Sequence, residues 1–519
     1  MSGWIPVGNI IKVLAHQDPE KEAVADLSRT LTFREWNERC NRFANALLDL
    51  GLKKGDRVAF IAHNSLEWME FYGATAKAGL IAVPIMFRLA PKEYQYILEN
   101  SETAAFLVAD DFIEGAESIR KQLPGVSNWI HVGGGATPDG YMAYEALMEK
   151  GSSEEPPVEV NPDDVWTITY TSGTTGRPKG AVRTHEAYVA FFLTNFITMG
   201  FSRGDRGLFV MPMCHVNSIY YGFTLLYCGA SSLVYSVASF DPTHFLKTLQ
   251  DFKVSFTSLV PTHYIMILDL PEEVKNSFDV STVEKLLCSS APVRKETKME
   301  ILEFFEKSKL YEAYGSTEAG KVTVLPPEMQ LIKPGSIGRE IPGTELIKIL
   351  DEERNELPVG EPGELFSRTP SCFKEYWKLP EETKAAFHGE WFSAGDIAYK
   401  DEDGYYYLVD RKKNMIITGG ENVYPTEVEK AVGEHPCVKD VAVVGLPDDK
   451  WGERVSAFII LRGGYEPSEE LSKEIQTFLK DKIAGFKRPK EVIFISDEEM
   501  PRTATGKILH RELRNRYGQ

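Results

Sequence analysis

The chain has 519 residues, a hydrophobic fraction of 43%, a charged fraction of 26% and a formal net charge of −18. That length is too great for one ordinary hydrophobic core, so two or more domains are expected. The acidic balance without a basic block disfavours a nucleic-acid partner, and neither a membrane-spanning apolar segment nor a signal peptide is recognisable. Six scattered cysteines without a C-x-x-C pair predict free thiols, not a disulfide frame or a zinc site. Free thiols are typical of a reducing compartment, so a cytoplasmic protein is expected.

Helical and strand patterns alternate along the N-terminal third of the chain. Thr32, three residues before Glu35, predicts a capping box at the start of a helix. Arg57–Ile61 and Leu80–Ile85 are patterns of buried strands, and a helix is predicted between them over Glu67–Lys77. This βαβα alternation predicts an α/β protein with layered, mostly parallel sheets that carry helices on both faces.

The strand pattern of Val165–Tyr170 runs into a loop of glycine, serine and threonine that also carries Arg177 and Lys179. Glycines let the backbone approach a ligand, and hydroxyls, exposed amides and cations together suit a polyphosphate. The loop is not a Walker motif, because Lys179 follows a proline and precedes a glycine instead of opening a helix. The residues predicted to bind phosphate are Thr171, Ser172, Gly173, Thr174, Thr175, Gly176 and Lys179.

This loop resembles the phosphate loop of the adenylate-forming enzymes, which include acyl-CoA synthetases, peptide-synthetase adenylation domains and firefly-type luciferases. Three further motifs follow in the order of that family. Leu286–Pro292 resembles the segment beside the adenine, although serines replace its two usual glycines. Tyr311–Glu318 resembles the Tyr-Gly-x-Thr-Glu signature. Trp391–Asp396 resembles the segment usually written Thr-Gly-Asp, with alanine in place of threonine.

The resemblance implies roles for the residues of these motifs. Tyr314 would stack on the adenine, Gly315 would let the acyl group approach closely, and Thr317 would donate to the α-phosphate. Glu318 would hold Mg²⁺, an ion usually bound by one or two carboxylates together with phosphate oxygens. The other ATP contacts expected from the resemblance are Ser290, Ala291 and Pro292 beside the adenine, and Asp396 and Arg411 at the ribose.

Phe209–Asn217 is predicted to end a strand in a turn that carries a histidine, His215. In the family the matching histidine borders the acyl pocket, so the resemblance implies that His215, Val216 and Gly315 line that pocket. An apolar pocket is suggested by the aromatic and aliphatic residues Phe191, Phe192, Val216, Tyr220 and Tyr221. The sequence shows no obvious cation for a second carboxylate, so the predicted substrate is a hydrophobic monocarboxylic acid, medium-chain, alicyclic or aromatic. A carnitine- or crotonobetaine-type acid stays open, because aromatic rings also bind quaternary ammonium groups.

Two domains are expected from the resemblance, with a hinge at Asp410. Residues 1–409 would form an N-terminal adenylation domain that holds the ATP and acyl sites. A β-subdomain of short strands is predicted within it over Gly338–Gly363. Residues 410–519 would form a small, mobile α+β domain of ordinary size.

The C-terminal domain carries two further expected sites. Gly419, Gly420 and Glu421 lie in a loop that borders the pantetheine tunnel for CoA in the family. Lys507 lies in a loop that resembles the one with the family's catalytic lysine, and its point charge would bridge carboxylate and α-phosphate oxygens. The expected catalytic residues are therefore Lys507, Glu318 and Thr317.

The motifs run in family order from residue 169 to residue 507, and they predict an AMP-forming carboxylate–CoA ligase that uses ATP, Mg²⁺ and CoA. A small-molecule carboxylate would attack the α-phosphate to give an acyl-adenylate and pyrophosphate, and CoA thiolate would then displace AMP. A homodimer is the expectation from the frequency of two-fold oligomers. Three alternatives stay open: an adenylation enzyme that passes the acyl group to a carrier protein, a luciferase-like oxygenase, and a non-catalytic nucleotide-binding module.

Overall fold

The computed structural model describes residues 5–171, 178–289, 293–411, 414–418, 421–448, 450–480, 482–503, 506 and 508–518. Backbone proximity divides the chain into two compact units. One unit comprises residues up to Leu346 together with Ser367–Phe392, and the other comprises Ile347–Phe366 together with residues from Ser393 onward. The expected boundary at Asp410 lies inside the second unit and stays a prediction.

Helices and strands alternate along most of the described chain. The helices are α1 (Val7–Gln17), α2 (Phe33–Asp49), α3 (Glu67–Ala78), α4 (Pro91–Ser101), α5 (Ile113–Arg120), α6 (Tyr144–Lys150), α7 (His185–Met199), α8 (Val216–Tyr227), α9 (Pro242–Asp251), α10 (Pro261–Leu268), α11 (Glu272–Lys275), α12 (Lys295–Phe304), α13 (Pro380–Ala385), α14 (Pro425–Gly433), α15 (Glu469–Phe478) and α16 (His510–Tyr517). The strands up to the phosphate loop and its return are β1 (Glu22–Ala25), β2 (Thr30–Thr32), β3 (Arg57–Ile61), β4 (Ile81–Ile85), β5 (Thr103–Ala109), β6 (Asn128–Val132), β7 (Met142–Ala143), β8 (Val165–Thr171) and β9 (Lys179–Thr184). The later strands are β10 (Arg206–Phe209), β11 (Ser231–Val234), β12 (Phe256–Leu259), β13 (Lys285–Ser289), β14 (Lys309–Ser316), β15 (Gly320–Leu325), β16 (Ser336–Glu340), β17 (Lys348–Leu350), β18 (Gly363–Phe366), β19 (Glu375–Tyr376), β20 (Phe387–His388), β21 (Trp391–Phe392), β22 (Asp396–Lys400), β23 (Tyr406–Arg411), β24 (Ile416–Thr418), β25 (Glu421–Val423), β26 (Val438–Asp448), β27 (Gly452–Leu461) and β28 (Glu491–Phe494).

Two sheets organise the first unit. Within it, one sheet has the strand order β16-β15-β14-β13-β12-β10-β11-β1-β2, and the other has the order β19-β9-β8-β4-β3-β5-β6-β7. Central neighbours such as β12 with β13 and β3 with β4 pair in parallel, whereas β8 with β9 and β14 with β15 are antiparallel. The predicted α/β class is confirmed, and strand β3 occupies the predicted Arg57–Ile61.

Local sequence signals set several helix ends. The Thr32 side chain accepts from the backbone N–H of Glu35, and the Glu35 carboxylate accepts from the backbone N–H of Thr32, so the predicted capping box is present. Helix α3 ends at Gly79, whose φ of +66° is a left-handed conformation that glycine adopts at little cost.

A large apolar core lies between the two sheets of the first unit. It combines side chains of both sheets, such as Phe60 and Phe256, with those of helices α3, α7 and α8. Trp166 of β8 packs edge-on to Tyr188 of α7 with ring centroids 4.6 Å apart. The helices that carry the predicted acyl wall are therefore fixed by packing on both sides.

The second unit contains two smaller sheets. Strands β17, β18, β22 and β23 are neighbours in that order, and β25-β24-β27-β26 form a second sheet in which β28 also pairs with β27. The apolar patterns of Val441–Gly445 and Val455–Ile460 predict a pair of strands, and β26 and β27 pair there and on until Asp448 opposes Gly452. Residues 467–484 have a helical sequence pattern, but α15 covers only Glu469–Phe478, and the described residues that follow form turns and bends.

Candidate active site

The end of β8 meets the turn after β14 at one carboxylate. Thr171, the last residue of β8, donates through Oγ1 to Oε1 of Glu318 at 3.2 Å, and the hydroxyl of Tyr376 donates to the same oxygen at 3.1 Å. Glu318 is 9% exposed. The structure therefore brings together the first residue of the predicted phosphate loop and the predicted magnesium ligand, with a tyrosine that the sequence did not single out.

Lys179 lies beside the same tyrosine. Its Nζ is 5.1 Å from the ring centroid of Tyr376, a cation–π distance. Strand β19 pairs with β9 so that Tyr376 opposes Ala181, which fixes the ring near the lysine. No short sequence motif predicts this contact, because it depends on the pairing of two strands that are far apart in the sequence.

The hairpin of β14 and β15 carries the Tyr-Gly-x-Thr-Glu signature. Gly315 opposes Lys321 across the hairpin, and a Cβ atom at Gly315 would lie 2.0 Å from the carbonyl oxygen of Gly320. Glycine is thus required at 315 by the hairpin itself, in addition to any acyl group. Gly320 has a φ of +73°, and the backbone N–H of Ala319 donates to Oγ of Ser316, so the turn is well defined. Tyr314 and Thr317 are half-buried in this segment.

The buried side chain of Arg183 forms hydrogen bonds with the turn between β14 and β15. Nη2 of Arg183 donates to the carbonyl oxygens of Thr317 and Glu318, the latter at 3.1 Å. Its guanidinium lies 5.7 Å from the ring of Tyr188 and 5.4 Å from the ring of Tyr220. Arg183 is a positioning residue that sequence reasoning missed, since a single arginine in a strand is normally read as solvent-exposed.

Helix α8 begins at the predicted acyl wall. His215 is the residue immediately before the helix, Val216 is the first residue of the helix, and desolvation lowers the pKa of His215 to about 4. The imidazole is therefore neutral at neutral pH. Nδ2 of Asn217 donates to Oγ of Ser289 at 3.2 Å, which joins the start of α8 to the end of β13 within the predicted adenine segment Leu286–Pro292.

The predicted ribose residues are neighbours in the second unit. Asp396 and Arg411 oppose each other across strands β22 and β23. The turn before Asp396 is held by Oγ of Ser393, which accepts from the N–H of Gly395 at 2.9 Å and donates to Glu364 at 2.8 Å. The family resemblance predicted that Asp396 and Arg411 both contact the ribose. In the structure the register of β22 and β23 makes the two residues direct neighbours.

The carboxylate of Asp410, the expected hinge residue, is tied to helix α14. Its Oδ2 accepts from the backbone N–H of Thr426 at 2.8 Å and from the Thr426 hydroxyl at 3.1 Å. Negative charge at the first turn of a helix is stabilising. Glu421, the described member of the expected CoA loop, is exposed at the start of β25.

Described residues on either side of Lys507 contact one another. Arg502 and Ile508 are paired by an isolated bridge, and Nη1 of Arg502 donates to the carbonyl oxygen of Gly506 at 3.2 Å. Several predicted site residues lie outside the described residues, so their places stay predictions. These are Ser172, Gly173, Thr174, Thr175, Gly176, Ser290, Ala291, Pro292, Gly419, Gly420 and Lys507.

Comparison with known families gives the class of the protein. The family model described as AMP-binding enzyme matches residues 12–377, and the model of the AMP-binding enzyme C-terminal domain matches residues 427–507. The chain therefore belongs to the AMP-binding enzyme family, as the sequence motifs predicted.

The curated relatives span nearly the whole chain. The fatty acid–[acyl-carrier-protein] ligase ScoC of Streptomyces coeruleorubidus is 32% identical over 97% of this chain and 95% of its own length. The long-chain-fatty-acid–CoA ligase FadD13 of Mycobacterium tuberculosis is 35% identical over 98% of each chain. A feruloyl-CoA synthase of an Amycolatopsis species is 33% identical over 97% of each. These relatives are acid–thiol ligases that differ in both acid and thiol.

Solved structures show the same fold. The anthranilate CoA ligase AuaEII in complex with anthranoyl-AMP has a TM-score of 0.90 and 29% identity, with coverage of 99% of this chain and 98% of that chain. ATP-bound MatB from Rhodopseudomonas palustris has a TM-score of 0.88 and 29% identity over 99% of each chain. The predicted fold class, with a large N-terminal and a small C-terminal domain, is confirmed by this match.

Proposed function

We propose that this chain is an ATP-dependent carboxylate–CoA ligase that forms an acyl-adenylate and then an acyl-CoA. The hydrogen bonds from Thr171 and Tyr376 to Glu318 carry the proposal, because they join the phosphate loop to the predicted metal ligand. A protein that only binds nucleotide does not require an oriented metal ligand at Glu318 together with Asp396 and the loop lysine Lys507. Membership of the AMP-binding enzyme family supports the same reading.

In the first half-reaction the acid carboxylate attacks the α-phosphate of ATP, and pyrophosphate leaves. Thr171 and Lys179 would contact phosphate oxygens, and Thr317 would donate to the α-phosphate. Lys507 would neutralise charge that builds on the reacting oxygens. Positioning and charge neutralisation supply most of the catalysis in such chemistry, with little covalent work by the protein.

Glu318 fits a magnesium site. Its carboxylate is nearly buried, and the hydroxyls of Thr171 and Tyr376 both donate to Oε1, which orients the group. Magnesium commonly takes one or two carboxylates together with substrate phosphates, and bound there it would supply neutralisation of phosphate charge. Arg183 donates to the carbonyl oxygens of Thr317 and Glu318, which holds the backbone that carries both side chains.

In the second half-reaction a thiolate attacks the acyl carbon, and AMP leaves. We assign CoA as the thiol, with Gly419, Gly420 and Glu421 beside its pantetheine. Residues 410–519 would turn about Asp410 relative to 1–409 between the two steps, so that Lys507 serves the first step and the glycine loop serves the second. The bond from Asp410 to Thr426 supports this assignment, because it lets the hinge residue turn together with α14.

The acid is proposed to have an apolar body. Phe191 and Tyr220 stack with centroids 3.8 Å apart, and Tyr221 of α8 lies edge-on to Phe191. These rings support the hydrophobic acid expected from the sequence, whether medium-chain, alicyclic or aromatic. A carnitine- or crotonobetaine-type acid is a weaker candidate, because Arg183 places a buried cation against Tyr220.

None of the helices in the described part of the chain is long and apolar enough to cross a membrane. All six cysteines are free thiols, which supports the proposal of a cytoplasmic protein. A homodimer is the accompanying proposal for its assembly, on the general frequency of two-fold oligomers.

Release of AMP and pyrophosphate tests the function directly. The assay supplies ATP, Mg²⁺ and CoA with acetate, hexanoate, palmitate, benzoate, cyclohexanecarboxylate or crotonobetaine. AMP release that requires both CoA and one class of acid is the expected result. Pyrophosphate release that ignores CoA but responds to an acyl carrier protein would move the assignment to the carrier-protein alternative. ATP binding without pyrophosphate release in response to any of these acids, or to a dicarboxylic acid of similar length, would leave only a nucleotide-binding module.

A further inference from the structure

Lys321 is a buried lysine that the proposed mechanism does not use. It is the second residue of β15, and its side chain points into the layer formed by helices α7 and α8. Nζ donates to Oδ1 of Asn195 at 2.8 Å and lies 5.9 Å from the ring centroid of Tyr221. The residue is only 3% exposed.

Lys321 differs from the other buried lysines of the described residues in lacking a carboxylate partner. Five lysines there are buried, and the other four each form an ion pair. The partners are Glu155 for Lys77, Glu272 for Lys275, Asp205 for Lys285 and Glu312 for Lys298. Lysines are rarely buried without a partner, because removing an ammonium from water is costly. The ammonium of Lys321 therefore lacks the negative charge that the fold supplies elsewhere.

Among the described residues, the contacts of the Lys321 ammonium are a neutral amide oxygen and an aromatic ring, and none forms an ion pair with it. The amide nitrogen of Asn195 donates to the carbonyl oxygen of Phe191 at 2.8 Å, which turns the amide oxygen toward the lysine. A charged ammonium has three N–H donors, and Asn195 accepts only one of them. Desolvation lowers the pKa of Lys321 to about 7, so an anion beside it would also hold the proton in place.

Lys321 also lies at the predicted acyl site. Its Cα opposes that of Gly315 across the hairpin, and directly opposed residues are about 5 Å apart. Its two contacts, Asn195 and Tyr221, belong to the helices that carry the predicted aromatic wall. An acid that lies over Gly315 therefore has to extend by only about one side-chain length to reach Nζ.

We propose that Lys321 determines specificity by binding a second carboxylate, or an equivalent anionic group, at the far end of the substrate acid. This inference rests on the proposed ligase function. The substrate would then be a short or medium acid with an apolar body and two anionic ends, one to be adenylated and one held by the ammonium. The sequence showed no obvious cation for a second carboxylate; the structure places one among the aromatic rings.

Paired substrates of equal length test the inference. Hexanoate is compared with adipate, and octanoate with suberate, by kcat/KM for acid-dependent pyrophosphate release. The variants are Lys321→Met, which keeps the length of the side chain without its charge, and Lys275→Met as a buried lysine on a different element. Removal of one partner of a buried charge pair leaves the other charge unpaired, so Lys321→Met is expected to lower kcat/KM for the diacids by about 100-fold. The same change should raise kcat/KM for the monoacids, because methionine presents an apolar end.

Binding of non-reactive analogues separates failure of this inference from failure of the ligase function. Adipoyl and hexanoyl sulfamoyl-adenosine are titrated against each variant by calorimetry, which requires no turnover. Tighter binding of the adipoyl compound in the wild-type protein, lost in Lys321→Met and kept in Lys275→Met, supports the inference. The inference is overturned if the ratio of adipoyl to hexanoyl affinity in Lys321→Met stays within twofold of the wild-type ratio. The ligase function would still stand in that case. If neither compound binds to the wild-type protein, both this inference and the ligase function are overturned.

Discussion

The hydroxyl of Tyr376 lies 3.1 Å from Oε1 of Glu318, and the ring of the same tyrosine lies 5.1 Å from Nζ of Lys179. One side chain thus touches the proposed magnesium ligand through its hydroxyl and a proposed phosphate-binding lysine through its ring. Because adenylation depends on the positions of such charges, Tyr376 is expected to affect the rate of that step without taking part in it chemically.

Replacement of Tyr376 by phenylalanine removes the hydrogen bond to Glu318 and keeps the ring beside Lys179. A hydrogen bond to a charged group is worth about 1.5–3 kcal/mol, so acid-dependent ATP–pyrophosphate exchange should slow by roughly 10-fold or more. The Mg²⁺ concentration for half-maximal rate should rise, because Glu318 is less well oriented. Tyr376→Leu should be slower still, since the ring is also lost.

The exposed Tyr465 provides the matched control, and Tyr465→Phe should exchange pyrophosphate at the wild-type rate. If Tyr376→Phe matched the wild type in rate and in Mg²⁺ dependence, the proposed ordering of Glu318 by Tyr376 would be wrong.

Arg183 holds the turn that carries the signature motif, through the carbonyl oxygens of Thr317 and Glu318. Arg183→Lys retains the charge, but a lysine lacks the guanidinium whose Nη2 donates to both carbonyl oxygens. We expect kcat for adenylation to fall by about 10-fold or more, with a smaller change in KM for ATP. Thermal unfolding is measured in parallel, and a full loss of folding in Arg183→Lys would show that the residue serves stability instead of the site.

Lys507→Ala should separate the two half-reactions. Lys507 is proposed to neutralise charge during adenylation, so acid-dependent pyrophosphate release should fall by at least about 100-fold. Thioester formation from supplied acyl-AMP and CoA should keep most of its rate, because the proposed CoA loop lies elsewhere in the chain. Equal loss of both half-reactions would contradict the proposed division of labour between Lys507 and the loop at Gly420.

Local patterns in the sequence predicted much of the fold. Strands β3 and β8 are continuous apolar or alternating runs, and the capping box at Thr32 depends on residues only three positions apart. The motif order also predicted the family. By contrast, the contact of Tyr376 with Lys179 depends on pairing between β19 and β9, which no local pattern reports.

Lys321 shows why a positive charge at the predicted acyl site was harder to predict from the sequence than the location of that site. A lysine that alternates with valines is expected on the solvent face of a strand. In β15 nearly every residue is buried, because helices cover the face that alternation would leave to water. Whether a strand has one covered face or two is decided by the packing of distant helices, so the burial of this charge is visible only in the folded chain.

Burial of Lys321 predicts a pH dependence of stability with a definite sign. Its pKa is lowered from 10.5 to about 7 in the folded chain, so between these values the unfolded chain binds a proton that the folded chain does not. The free energy of unfolding therefore rises with pH through this window, and the stabilisation is lost as the pH falls toward 7. Relative to Lys321→Met, the wild-type protein should gain up to about 1.4 kcal/mol per pH unit near the middle of the window.

Denaturant unfolding of both proteins from pH 6.5 to pH 10 measures this difference, and subtraction removes the titration of groups that the two share. Within the described residues, the polar and ring contacts of Lys321 are with Asn195, which does not titrate, and Tyr221, whose pKa burial raises above its usual value. Neither takes up or releases a proton in this range, so the slope belongs to the lysine. A pH-independent difference would mean that Lys321 stays charged in the folded chain, which would require a negative partner for it without any substrate. A saturating diacid should flatten the slope, because the second carboxylate would hold the proton on the ammonium up to a higher pH.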